Sequence, residues 1–332
     1  MNFMNDDEFL LLMNLGTNQL QGTPILSTSE RARLREVGIQ TAIEYPQWNE
    51  IEPSKGSYNF SPVENILNMN RSAGMKTIMS LINPWLPEWL PNEWRLRYEN
   101  GTYNTASFSL WNEEAIKYER DFMQMLIDKY TAPDVMFILQ EHDTGESAFP
   151  SSAWYDDYAM QDFKSKYGTA VPINFKNDET KQWLEDAIIK HFIDLQQVFY
   201  PPYKEIWNSL QWLIAQLNPE SMNYIQPKIL QRFLDVFPDV NIVLLQYTYF
   251  DSSHPPENAV YVDMLKEKYC KDVIVEAIFC KGLKTTTPKA IQKGFRGQII
   301  CPTHPHTHEH HLEEWMINEI RISHNLWKGN RE

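Results

Sequence analysis

Short apolar runs alternate along the chain with stretches of helical spacing, polar and carboxylate residues follow the apolar runs directly, and 332 residues suffice for one large domain. Together these observations predict an α/β protein, a single (β/α)8 TIM barrel spanning 1–332 with a helical insertion after its fourth strand. Such alternation implies parallel strands joined by right-handed crossovers. In a barrel of this kind the chemistry sits at the carboxyl ends of the strands.

The elements follow in order. Phe9 to Leu15 is the first strand and ends in Gly16-Thr17-Asn18. Ser29 caps a helix that Gly38 closes. Ile39 to Ile43 is the second strand, followed by Glu44-Tyr45-Pro46-Gln47-Trp48. A helix at about Pro62 to Ala73 leads to the third strand, Lys76 to Leu81, and its end Ile82-Asn83-Pro84-Trp85. Glu113 to Tyr130 places Ile116, Phe122, Met125 and Leu126 at helical spacing. The fourth strand, Val135 to Leu139, stops at Gln140, and Glu141, His142, Asp143, Thr144, Gly145 and Glu146 come next.

An interruption at about 147–220 holds three helical patterns, Ala153 to Tyr167, Glu179 to Val198 and Tyr203 to Leu217. It is read either as an embellishment packed on the barrel or as a wall of the substrate cleft. Met222 to Ile225 is the expected fifth strand, followed by a helix from Pro227 to Phe237. Asn241 to Leu245 is the sixth strand, and Gln246 and Tyr247 follow it. Asn258 to Tyr269 is helical, and Asp272 to Val275 is the seventh strand, ending in Glu276. Thr287 caps Pro288 to Lys293, Gln298 to Ile300 is the last strand, and His311 to Trp327 is a terminal helix.

Composition narrows the partners. The net charge of −14 argues against nucleic acid and against an anionic membrane surface, both of which attract Lys/Arg. Cys270, Cys280 and Cys301 form no redox or metal spacing. The amino terminus carries acids where a leader needs Lys/Arg, and no run reaches the roughly 18 apolar residues of a membrane span, so a cytoplasmic location is the expectation. No phosphate-binding glycine loop and no G-x-S-x-G elbow is present.

Carboxylates recur just after the apolar runs. Glu141, Asp143 and Glu146 follow the fourth, Glu276 the seventh, Glu44 the second and Asp251 the sixth. Two carboxyl groups at facing strand ends could break a glycosidic bond. One protonates the leaving oxygen, and the other attacks the sugar or activates water. A Glu in this place also caps helices or pairs with Arg, which is the plainer alternative for Glu276 and Glu44. Trp48 and Trp85 serve either as sugar platforms or as packing, and Tyr247 is placed to lie near Glu276. Thr303 to His311 contains His304, His306, His308, His310 and His311 with Glu309. That loop is read as solvated or sugar-contacting, with His304 the candidate substrate contact, and its alternative is a transition-metal site.

Trp48-Asn49-Glu50-Ile51-Glu52-Pro53-Ser54-Lys55-Gly56-Ser57-Tyr58-Asn59-Phe60 resembles the segment after the second strand of clan A glycoside hydrolases, the barrel β-galactosidases in particular. Ala73-Gly74 and Pro84-Trp85-Leu86-Pro87-Glu88-Trp89-Leu90 continue the likeness. Gly145-Glu146 with Pro150-Ser151 is similar to the acid loop of β-amylases. The resemblance covers about half the chain, mainly Ile39 to Gly168. It implies a glycosidase with no required cofactor or metal, acting on an oligo- or polysaccharide. Its nucleophile would be Glu276 and its acid/base Glu146 or Glu141, with Gln140 standing where the clan usually has Asn. Substrate contacts would fall to Glu44, Trp48, Asn83, Trp85, Gln140, Tyr247 and His304. A non-catalytic glycan-binding barrel and a metal-dependent hydrolase using the His304–His311 loop remain the alternatives.

Overall fold

A computed structural model of the chain describes residues 9–15, 25–80, 86–138, 154–168, 178–199, 205–208, 232, 234–239, 242–245, 267, 272–277, 280, 282–300 and 312–330. Strand β1 (Leu10–Asn14) is followed by α1 (Thr28–Glu36), β2 (Thr41–Glu44), the single turn α2 (Trp48–Ile51), α3 (Ser61–Ser72) and β3 (Lys76–Ser80). A small antiparallel pair, β4 (Arg95–Arg97) and β5 (Tyr103–Phe108), precedes α4 (Glu113–Tyr130) and β6 (Val135–Ile138). Then come α5 (Asp157–Tyr167), α6 (Asp178–Phe199), β7 (Glu205–Asn208), β8 (Ile242–Leu245), β9 (Asp272–Ala277), α7 (Leu283–Gln292), β10 (Gly297–Ile300) and α8 (Glu314–Gly329).

Eight strands form one parallel sheet in the order β6-β3-β2-β1-β10-β9-β8-β7. Counted along the chain, that is 4-3-2-1-8-7-6-5, the order of a barrel opened between its fourth and fifth strands. The two outermost strands, β6 and β7, are consecutive sheet strands in the chain and lie against each other. All five residues of β1 and all four of β2 and β6 are buried, as expected for parallel strands covered on both faces. Leu11, Met13 and Ala42 belong to an apolar cluster with Leu34 of α1 and Met316 and Ile320 of α8. A second cluster joins Leu12, Ile43 and Ile299 with residues of α3 and α4. Gly297 lets β1 and β10 meet, since a Cβ there would stand 2.0 Å from the Leu10 carbonyl oxygen.

Local chemistry explains the helix starts. Ser27, not Ser29, caps α1, and with Glu30 it forms a capping box. Asn112 caps α4 by accepting from the Glu114 and Ala115 amides. α7 begins upstream of the expected Thr287, which instead lies buried inside the helix and donates to Gln298 Oε1 at 2.8 Å. Pro288 is therefore an interior proline rather than a first-turn one.

The fifth sheet strand is Glu205–Asn208, inside the stretch expected to be helical, and not Met222 to Ile225, which lies outside the described residues. The connection from the fourth to the fifth strand thus ends before Glu205, short of the expected limit at 220. Pro201-Pro202 separates α6 from Glu-Ile-Trp-Asn, and an apolar run this short fits either helix or strand until a neighbouring strand pairs with it. The β4–β5 pair was not foreseen. Among the described residues no helix is long and apolar enough to cross a membrane.

Candidate active site

Parallel pairing brings the carboxyl ends of the eight strands to one side of the sheet, and alternation then sorts the residues there by face. Glu44 ends β2 fully buried against the helices. Arg31 of α1 donates Nη1 to Glu44 Oε1 and to Asn70 Oδ1 of α3. Asn70 Nδ2 donates to Glu44 Oε1 at 3.1 Å and to Thr77 Oγ1 at 3.0 Å. Arg31 Nε is spent on the Leu26 carbonyl at 2.9 Å. The Glu44 carboxylate is therefore bound into a buried clasp between sheet and helices, which replaces its expected contact with a sugar.

Ile43 and Tyr45 fall on the opposite face from Glu44. Asn14, the last residue of β1, stands in register with Ile43, and its Nδ2 donates to the Tyr45 hydroxyl at 2.6 Å. Both side chains are buried. This polar pair marks the inner face of the sheet at its carboxyl end, between the first and second strands. Sequence reasoning passed over it. The signal was there in Tyr45, whose parity is opposite to that of its neighbour Glu44.

Trp48 is also corrected. It has no exposure, stacks on Phe122 of α4 at a centroid distance of 4.4 Å, and meets Phe108 edge-on at 5.7 Å. Its Nε1 donates to Glu52 Oε2 at 2.8 Å. No ring face is left for a sugar. The segment after β2 is instead knotted around Glu52, which also accepts from the Gly56 amide at 2.8 Å and the Tyr118 hydroxyl at 2.7 Å. Trp89 Nε1 donates to the Glu52 carbonyl at 2.7 Å. Desolvation first, and the adjacent Glu52 carboxylate second, raise the Tyr118 phenol well above its ordinary value, so it stays a donor.

Glu276 is part of β9, with its backbone in register with Ile299 of β10. Ile299 pairs with Leu12, and Leu12 with Thr41, so Glu276, the last residue but one of β9, belongs to a row crossing four strands. Gln140, Glu141 and Glu146 follow β6 in the chain. Asn83 and Trp85 follow β3, Tyr247 follows β8 and His304 follows β10. These seven, with the rest of the His304–His311 loop, lie outside the described residues. Among the described residues no cluster of His, Cys, Asp and Glu could hold a metal. Cys280 is buried, and burial pushes its thiol up to about 12, which leaves no thiolate for chemistry.

Residues 26–131 match the family described as beta-galactosidase, glycoside hydrolase family 42. A comparison with curated proteins finds no match. The fold is similar to that of the catalytic domain of beta-amylase from Paenibacillus polymyxa, with a TM-score of 0.61 and 13% identity over 89% of this chain and 92% of that one. It is also similar to beta-galactosidase from the psychrophilic Marinomonas ef1, with a TM-score of 0.65 and 12% identity over 95% of this chain and 59% of that one. For the beta-galactosidase of the Antarctic haloarchaeon Halorubrum lacusprofundi the TM-score is 0.67 and the identity 10%, over 96% and 58%. The chain therefore spans somewhat over half the length of those two galactosidases. The family match over residues 26–131 and the shared fold bear out the likeness to clan A glycoside hydrolases, a class of glycosidases. Within that class, residues 26–131 resemble the beta-galactosidase family.

Proposed function

We propose that the protein is a (β/α)8 glycoside hydrolase that cleaves an O-glycosidic bond of an oligo- or polysaccharide with two carboxyl groups. Glu276 would be the nucleophile. Glu146 or Glu141 would protonate the leaving oxygen and then activate water. The observation that carries this reading is the strand order. With β6 and β9 fourth and seventh in a sheet ordered 4-3-2-1-8-7-6-5, closure of β6 onto β7 makes a ring. In that ring, groups from the fourth and seventh strand ends address one substrate from two sides.

The chemistry divides between the two acids. The leaving oxygen needs a proton as the glycosidic bond breaks, and a carboxyl held protonated by burial and by the nucleophile's charge supplies it. The second carboxylate faces the oxocarbenium-like carbon. A carboxyl separation of about 5–5.5 Å gives a covalent glycosyl-enzyme and retention, and about 6.5–9.5 Å leaves room for water and gives inversion. No metal or cofactor takes part in this scheme. The partner is a carbohydrate, and the acidic surface repels nucleic acid and anionic membranes.

The test is turnover of a panel of aryl glycosides by the purified protein, with and without a chelator. The expected result is chelator-insensitive hydrolysis that Glu276→Gln lowers by at least about a thousandfold. Stoichiometric bound metal with no aryl-glycoside turnover would favour the His304–His311 loop instead. Glycan binding without turnover would make the protein a non-catalytic barrel.

A further inference from the structure

We propose that the groove between the amino-terminal end of α4 and helices α5 and α6 is an accessory site for a neutral oligosaccharide, separate from the strand-end carboxylates. It encloses about 480 Å³, within the range of about 300–1,000 Å³ typical of small-ligand clefts.

Its floor is a rigid aromatic stack. Trp111 lies on Trp183 with centroids 4.3 Å apart and planes 16° from parallel, and Trp154 meets Trp111 edge-on at 6.0 Å. Trp183 is locked from behind, donating Nε1 to Asp162 Oδ2 at 2.6 Å and packing edge-on against Phe163 at 5.0 Å. Trp111 remains half-buried at the groove, and Tyr158 of α5 adds a ring that is 39% exposed. Trp183 and Trp154 are buried and hold Trp111 in place, so the ring surface that meets water is that of Trp111 and Tyr158, and it fits the C–H face of a pyranose.

The rim sets the chemistry of that ligand. Glu113, Asp162 and Asp186 bring acceptors, while Gln161, Lys166 and Lys190 bring donors. Interspersed donors and acceptors suit hydroxyls, which use both. Asp186 is paired with Arg232 and Lys190 with Asp194, so Glu113, Asp162 and Lys166 leave the groove close to neutral and slightly negative, which disfavours a phosphate or a polyanionic glycan. The groove also sits on the catalytic side of the sheet. α4 follows the third sheet strand and α5 the fourth, and Ser109 Oγ ties the two connections together by donating to Asp156 Oδ1 at 2.6 Å. A chain longer than the strand-end site can hold would find a second grip there. The choice of a sugar as occupant rests on the proposed function, whereas the groove's shape and charge do not.

Isothermal titration with reduced neutral tetra- to hexasaccharides of the gluco-, galacto- and malto- series provides the test. Tyr158→Ala and Gln161→Ala alter exposed α5 side chains and should leave melting temperature and aryl-glycoside turnover unchanged. Combined, they should weaken one binding event by at least about tenfold. Binding undiminished in the double variant, or a wild-type protein that binds none of the panel, overturns the proposal. Variant-sensitive binding without any aryl-glycoside turnover would retain the groove and refute the proposed activity.

Discussion

Tyr118 of α4 donates a 2.7 Å hydrogen bond to the carboxylate of Glu52, 66 residues away in the chain. This bond fastens the segment after β2 to the helix that covers it, and Trp48 and the Gly56 amide complete the ring of donors around the same carboxylate. A charged acceptor makes each bond stronger than a neutral pair would, so Tyr118→Phe should cost about 1.5–3 kcal/mol in denaturant unfolding. Glu52→Ala strands all three donors and should cost more than Tyr118→Phe. Equal unfolding midpoints for wild type and Glu52→Ala would show that the knot is not what holds this segment.

Glu44 makes a sharper case, because its position at a strand end suggests a sugar contact while its surroundings give it another duty. Removing it leaves the Arg31 guanidinium buried beside Asn70 without its counter-charge. Breaking a buried pair of this kind costs about 3–5 kcal/mol. Glu44→Ala should therefore lower stability steeply, while KM of the folded fraction stays at the wild-type value. A raised KM with unchanged unfolding would return Glu44 to the substrate.

Much of the framework was legible in the sequence because its signals are local. Seven of the eight sheet strands fall on the expected apolar runs, and α4 spans the expected Glu113–Tyr130. The fifth strand was missed because Glu205–Asn208 is defined by pairing with β8 rather than by any pattern of its own. For Glu44 and Trp48 the Arg-pairing and packing alternatives hold, and the sequence does not choose them for a related reason. Adjacency to a strand end does not reveal on which face a side chain lies, and one residue's change of parity turns a mouth residue into a clasp. Asn14 and Tyr45 are the reverse case, ordinary in sequence and adjacent only once β1 and β2 are in register.

Asp156 gives the fold a pH dependence. It caps α5 by accepting from the Ala159 amide at 3.0 Å and from the Ser109 hydroxyl at 2.6 Å. Desolvation raises its pKa above the ordinary carboxylate value, against the smaller opposing pull of Ser109, the Ala159 amide and Arg97. A group whose folded pKa is raised adds stability that is fully present below its unfolded pKa and lost as pH rises through the folded one. Asp156→Asn keeps an acceptor for the cap and cannot ionise. Thermal melts from about pH 3 to pH 7 should show wild type losing ground to Asp156→Asn as pH rises through the range above the ordinary carboxylate pKa. A stability difference that is flat, or that moves in the opposite direction, would contradict the burial argument.

In the proposed mechanism Glu141 and Glu146 are the two candidates for one role, and leaving-group chemistry separates them. An acid catalyst matters most when the departing oxygen is strongly basic, as in a disaccharide. It matters little for a nitrophenolate, which leaves without a proton. Replacing the true acid by Gln should therefore lower kcat/KM for a disaccharide by about 10²–10⁴-fold while bond cleavage in the nitrophenyl glycoside is spared. It should also remove the alkaline limb of the pH–rate profile, since that limb reports loss of the acid's proton. Replacing the other glutamate should reduce both substrates alike, through binding, and leave the limb in place. If neither Glu141→Gln nor Glu146→Gln discriminates between the leaving groups, neither glutamate is the acid and the two-carboxylate assignment fails there.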